Sequence, residues 1–224
     1  MKSIQEPELK AYFALMEQRP ELFAPSERIP IERDLQAIRG FTARTGKKVG
    51  VLYQSKFNML VTDLICPKEG EPYLYERVIP AAEGGVVVVA VYEGKLVLLR
   101  QFRHALRQEQ VAFIRGCGEP DLSPEANAQK EVWEEIGANV LDLEYLGRVS
   151  PDSGLTSTMA SVYLCQVSCP VAKRGYEGIE EPLLLSQGEF DRWVAQGRIT
   201  DGFSLAAYTL YQSHLQSGRE PTLK

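Results

Sequence analysis

Histidine is scarce in this sequence. His104 and His214 are the only two among 224 residues. A metal centre built on three imidazoles is therefore excluded within one chain. Cysteine is scarce as well, and Cys66, Cys117, Cys165 and Cys169 form no C-x-x-C pair. That argues against a structural zinc site and against a disulfide scaffold. Long apolar runs are missing. The longest, Val86–Tyr92, falls far short of the ~20 residues a membrane helix needs, so no membrane association is expected. Residues 1–20 carry acids throughout and no apolar stretch. No secretory leader is expected, and the protein reads as cytoplasmic. Excess positive charge is missing too, since the formal net charge is -5. A nucleic-acid binder needs basic surface to neutralise phosphates, so nucleic acid is not an expected partner. An acidic balance suits carboxylates gathered to hold cations.

The apolar share of 44% and charged share of 25% are ordinary for a folded domain. A chain of this length buries enough apolar surface to fold without staples, as one domain with an extension. Residues 1–80 read as a helical and β extension, and residues 81–224 as the main domain. Leu9, Tyr12, Phe13 and Met16 recur at helical spacing until Pro20 breaks the pattern. Val49–Ser55 and Met59–Cys66, joined by Lys56-Phe57-Asn58, predict a hairpin, and Tyr73–Val78 a further strand. Val86–Tyr92 and Lys95–Gln101 flank a Glu93-Gly94 turn. A short strand is expected over Gln110–Ile114, longer ones over Val140–Val149 and Met159–Val167, and a short one over Leu183–Ser186. Two helices close the chain, near Gln187–Gln196 and Ser204–Gln216. Strands around a capped helix, with further helices outside, predict an α+β sandwich.

The capped helix is the clearest element. Ser123 suits an N-cap, Pro124 the first helical position and Gly137 a C-terminal stop. The helix therefore spans 124–136. At 3.6 residues per turn, Glu131, Glu134 and Glu135 fall within an arc of about 100°. Ala128, Val132 and Ile136 form a neighbouring apolar stripe that can face a core. Like charges at this spacing cost roughly a few tenths of a kcal/mol per pair, and a divalent cation removes that cost. Ligands made only of oxygen suit magnesium or manganese, which go with phosphate-bearing substrates. Taken alone, Lys130-Glu131-Val132-Trp133-Glu134-Glu135 also describes a solvated acidic face. The loop glycines before it and Gly137 after it point elsewhere.

The run from Gly116 to Gly137 resembles the Nudix box, G-x5-E-x7-R-E-U-x-E-E-x-G-U, where U is a bulky apolar residue. Gly116, Glu131, Val132, Glu134, Glu135 and Gly137 match without a gap. Leu122 stands where the box has Glu, Lys130 where it has Arg, and Ala138 where it has a larger apolar residue. The resemblance implies a Nudix fold, with mixed β-sheets sandwiched between α-helices. It also implies two or three Mg2+ or Mn2+ ions held by Glu131, Glu134 and Glu135 and by the backbone oxygen of Arg115.

Over roughly residues 49–215 the chain resembles the ADP-ribose pyrophosphatase branch of that family. The resemblance is carried by Tyr75-Glu76-Arg77-Val78, Gln101-Phe102-Arg103, the box, Pro151-Asp152-Ser153-Gly154 and the closing helices. That branch implies hydrolysis of ADP-ribose or a related nucleoside-diphosphate sugar. It implies a loop glutamate that acts on water, for which Glu177 fits best and Glu180 and Glu181 are alternatives. It implies a homodimer paired through residues 1–80. Arg77 and Arg103 could hold the diphosphate or the terminal ribose, because guanidinium matches phosphate in a bidentate manner. Either could also be an ordinary surface charge. Tyr53 or Phe57 could stack on a base or serve a core or hairpin contact, and His104 reads as a surface or structural residue. The branch commonly has E-L-P-A-G before the box, whereas this chain has Ala112-Phe113-Ile114-Arg115-Gly116. An altered pocket edge follows. Leu122, Lys130 and Ala112 also leave open a Nudix-fold module that binds or senses nucleotide sugars with little turnover.

Overall fold

A computed structural model describes residues 4–171 and 182–218. The chain divides into two units. The first comprises Met1–Ala81 with Asp152–Thr158, and the second Ala82–Pro151 with Met159–Lys224.

The first unit opens with α1 (Pro7–Gln18), whose Leu9, Tyr12 and Leu15 are buried. A 3-10 turn at Pro20–Phe23 follows. Helix α2 (Leu35–Thr45) is capped by Asp34, which accepts from the Ala37 N–H, and ends at left-handed Gly46. The antiparallel strands β1 (Gly50–Gln54), β2 (Asn58–Ile65) and β3 (Tyr73–Pro80) lie in that order. Tyr12, Phe23, Ile38, Phe41, Val61 and Ile79 share one core beneath the helices. Within it the Tyr12 hydroxyl donates to Asp63, and Asp63 pairs with Arg77 at 2.7 Å. The segment Asp152–Thr158 joins this unit through β3. The Val78 N–H donates to the Leu155 carbonyl, and the Ser157 N–H to the Val78 carbonyl.

The second unit carries β4 (Val86–Tyr92), β5 (Lys95–Arg103), β6 (Gln108–Ala112) and β7 (Ile114–Gly116). Next come α3 (Pro124–Ile136), β8 (Val140–Val149), β9 (Ala160–Val167) and β10 (Leu183–Leu185). Helices α4 (Gln187–Ala195) and α5 (Gly202–Gln216) close the unit. The sheet runs β10-β5-β4-β9-β8, with β6 on β5 and β7 on β4. Its β4–β9 pairing is parallel and the rest are antiparallel, so the sheet is mixed.

The central strand explains the apolar run in the sequence. Val87, Val89 and Val91 pack with Phe190 of α4 and with Ala207 and Tyr211 of α5. Val86, Val88 and Ala90 pack with Ala128, Val132 and Ile136 of α3. A strand buried on both faces reads as continuously apolar. This unit is therefore a helix–sheet–helix sandwich within an α+β chain.

One expected strand is two. Over Gln110–Ile114 the ladder breaks at Phe113, whose N–H leaves the sheet and donates to Ser204 Oγ at 2.9 Å. Before the break the chain pairs with β5, and after it with β4. The closing helix starts at Gly202 instead of Ser204, because Asp201 is its cap and accepts from the Ser204 N–H.

Candidate active site on the second unit

Helix α3 is set by its ends. Ser123 Oγ accepts from the Ala126 N–H, Pro124 opens the helix, and Gly137 ends it in the left-handed region at φ 62°. Ala128, Val132 and Ile136 are fully buried. Their stripe fixes the rotation of the helix and turns the acids toward the loop that precedes it.

Two carboxylates meet that loop at adjacent residues. Glu135 is only 6% exposed, and its Oε2 accepts from the Arg115 N–H at 3.3 Å. The Glu131 carboxylate lies against Gly116, where a built Cβ would stand 2.0 Å from Oε1. Glu135 thus meets the Ile114–Arg115 peptide through its N–H, and Glu131 meets the next residue, Gly116, so the two carboxylates converge on adjacent residues at the end of β7. Among the described residues, no three His, Cys, Asp or Glu side chains are grouped to hold one ion. The donors that do converge are carboxylate oxygens beside a backbone peptide. That hard-oxygen set fits magnesium or manganese.

Glu134 is placed differently. Lys130 Nζ sits 2.7 Å from Glu134 Oε2, 2.9 Å from Glu119 Oε1 and 4.0 Å from Glu131 Oε1. The Glu134 and Glu119 carboxylates push the Lys130 ammonium above the usual lysine range, so it stays charged. Lys130 therefore ties the box loop to the helix through Glu119, three residues before Leu122.

Asn127 is a site residue that the sequence reading passed over. It is fully buried, and its Nδ2 donates to the Gly84 carbonyl at 3.1 Å and to the Cys117 carbonyl at 2.8 Å. It stands one turn before Glu131 on the same helix face, and a polar residue there was the available signal. Gly118 is pressed against the segment before β4, with a built Cβ only 1.5 Å from the Glu83 carbonyl. The loop is therefore fixed from two sides.

The other expected residues are dispersed. Arg115 sends its guanidinium to Asp201 at 3.2 Å, beneath the Phe203 ring. Arg103 ends β5, half-buried and opposite Gln108. His104 Nδ1 contacts the Arg107 guanidinium at 3.0 Å, and Arg107 lies over Phe102. Arg77 belongs to the first unit, where it holds Asp63 and donates to the Leu22 carbonyl at 2.7 Å. Tyr53 and Phe57 are exposed. Glu177, Glu180 and Glu181 lie outside the described residues. A surface groove of about 660 Å3, lined by Phe41, Lys48, Leu52 and Tyr73 among others, belongs to the first unit and contains none of the box residues.

The family model described as NUDIX domain matches residues 83–195. Over 110 residues the chain is 27% identical to the ADP compounds hydrolase NudE of Escherichia coli (strain K12). That match spans 49% of this chain and 58% of the relative, so the relative is covered for less than two thirds of its length. A crystal structure of an ADP compounds hydrolase superposes with a TM-score of 0.65 at 18% identity. It covers 77% of this chain and 95% of that one, and the likeness is one of fold.

Proposed function

Because the chain belongs to the NUDIX family, we propose that it hydrolyses a nucleoside diphosphate linked to a sugar, with ADP-ribose as the leading candidate. The products are a nucleoside monophosphate and a sugar phosphate. The observation that carries this reading is the convergence of Glu135 and Glu131 on the adjacent residues Arg115 and Gly116, within a box that matches without a gap. The similarity to an ADP compounds hydrolase supports the substrate class.

In this reading Glu131, Glu134, Glu135 and the Arg115 carbonyl hold magnesium or manganese. The bound ions would neutralise the diphosphate and lower the pKa of an attacking water. The protein's own residues do the rest. The buried Ala128–Val132–Ile136 stripe and the Asn127 latch keep the carboxylates in register with the loop. Lys130 offsets repulsion between Glu131 and Glu134, which lowers the cost of crowding them. Arg103 holds the diphosphate or the terminal ribose; Arg77, the other arginine that the sequence offered, is held by Asp63 in the first unit. Glu177, with Glu180 and Glu181 as alternatives, orients the water and takes its proton. Preorganised charge and positioning supply most of the acceleration, as in other phosphoryl chemistry. The same reading carries a homodimer paired through residues 1–80 and a cytoplasmic location. Sedimentation as a monomer at micromolar concentration would count against the dimer.

A second reading is a module that binds nucleotide sugars and turns them over slowly. The ion pair of Lys130 with Glu134 favours it, because it occupies a carboxylate that the first reading assigns to metal. Incubation with a panel of nucleotide sugars and Mg2+ or Mn2+, followed by mass spectrometry, separates the two. Nucleoside monophosphate and sugar phosphate support the enzyme. Tight binding without product supports the module.

A further inference from the structure

We propose that Asp201, at the start of α5, is a positioning residue for the box site, acting through the Arg115 side chain. The proposal rests on reading the backbone at Arg115 and Gly116 as part of that site. Three polar contacts join the start of α5 to the strands that lead into the box. Thr200 Oγ1 donates to Gln110 Oε1 at 3.0 Å, the Phe113 N–H donates to Ser204 Oγ at 2.9 Å, and Arg115 pairs with Asp201 at 3.2 Å. They flank the point where the chain leaves β5 and joins β4.

The two oxygens of Asp201 have separate tasks. Oδ2 accepts from the Ser204 N–H at 2.9 Å and from the Ser204 hydroxyl at 2.8 Å. That is an ordinary helix cap, which asparagine performs equally well. Oδ1 faces the Arg115 guanidinium, which the cap does not require. The pair is mostly enclosed, with side-chain exposures of 24% for Arg115 and 11% for Asp201, and Phe203 covers the guanidinium. Charge-assisted contacts sheltered from water are the stronger kind. At the same residue, the Arg115 backbone N–H donates to Glu135. Arg115 thus has its side chain fixed by α5 while its backbone N–H meets Glu135 of α3. The anionic oxygen of Asp201 sets where that stretch of backbone sits.

Asp201→Asn tests this, because it keeps the cap and removes the charge. By amide hydrogen exchange, the Arg115 N–H of the variant should exchange about tenfold faster than in the unaltered protein. The Leu205 N–H, bonded within the cap to the Asp201 carbonyl, should keep its protection. Arg115→Met should reproduce the faster exchange and Arg115→Lys should not, which reaches the pair from the side that leaves the cap intact. With Mn2+ as the only added probe, Asp201→Asn should weaken binding severalfold. With ADP-ribose it should lower kcat and leave KM unchanged. An unchanged Arg115 exchange rate overturns the proposal. So does equal loss of protection at Leu205, which would make Asp201 a cap and nothing more. If the unaltered protein neither binds Mn2+ nor cleaves ADP-ribose, the functional reading fails, and the exchange data still decide the role of Asp201.

Discussion

The Glu131 carboxylate occupies the space that a side chain at Gly116 would fill, with Oε1 2.0 Å from a built Cβ. Gly116 is not in the left-handed region. Glycine is required here for room and not for backbone freedom. Gly116→Ala should therefore displace the carboxylate and leave the strand intact. Misplacing a reacting group by about 1 Å can cost about a hundredfold in rate. We expect a loss of that order in kcat/KM for ADP-ribose and a smaller effect on Tm, because the atoms nearest the added methyl, from Oε1 to Cγ, all belong to the Glu131 side chain and none to backbone. A large drop in Tm with unaltered kcat/KM would contradict the account.

Lys130 and Glu119 form a support that spans loop and helix. Their side chains are 34% and 48% exposed, so solvent screens the pair. Glu119→Gln, Lys130→Met and the double variant, compared in urea, should reveal a coupling of about 0.5 kcal/mol. Each single variant should also lower kcat/KM, since a loosened loop lets the Arg115 N–H drift from Glu135. Strict additivity would mean that the contact supports nothing.

Asn127 satisfies two carbonyls that would otherwise be left without this donor. Asn127→Ala should cost about 1–3 kcal/mol, the penalty for stripping a buried acceptor of its partner. Equilibrium denaturation measures it. Activity should fall further than stability explains, because the Cys117 carbonyl lies in the box loop. No loss of either kind would show that the latch is incidental.

Asp63 is 2% exposed and holds Arg77 while accepting from Tyr12. Burial and the Asp63 charge raise the Tyr12 hydroxyl above the usual tyrosine range, so it remains a donor. Asp63→Asn leaves the Arg77 guanidinium without its counter-charge, a change that costs about 3–5 kcal/mol when the pair is buried. Thermal unfolding should show this as a marked fall in Tm. An unchanged Tm would mean that the pair is not part of the core.

Much of this was legible in the sequence where the signal was local. Ser123, Pro124 and Gly137 delimit α3 at the residues observed, because caps and stops act within one turn. Val86–Tyr92 is likewise a strand at the expected bounds. What the sequence hides is contact between distant segments. Nothing local to Phe113 announces that its N–H will bond Ser204, so the break between β6 and β7 was not visible. The pairing of Asp152–Thr158 with β3 is hidden for the same reason. Arg77 looks like a free strand-end cation until Asp63 is brought beside it. Glu119 reaches Lys130 across the box loop, a contact that only the folded loop shows. The Gly116–Glu131 contact was legible as a spacing, and its geometric cause was not.

The most direct measurement is cleavage of ADP-ribose in oxygen-18 water by the unaltered protein and by Glu135→Gln, each with Mg2+ or Mn2+. Glutamine keeps the shape of a nearly buried side chain, so the fold should persist. The account predicts AMP and ribose phosphate from the unaltered protein, with label in one of the two. It predicts a fall of about a thousandfold in the variant, as expected when a preorganised charge is removed. Turnover by Glu135→Gln at the unaltered rate would contradict it.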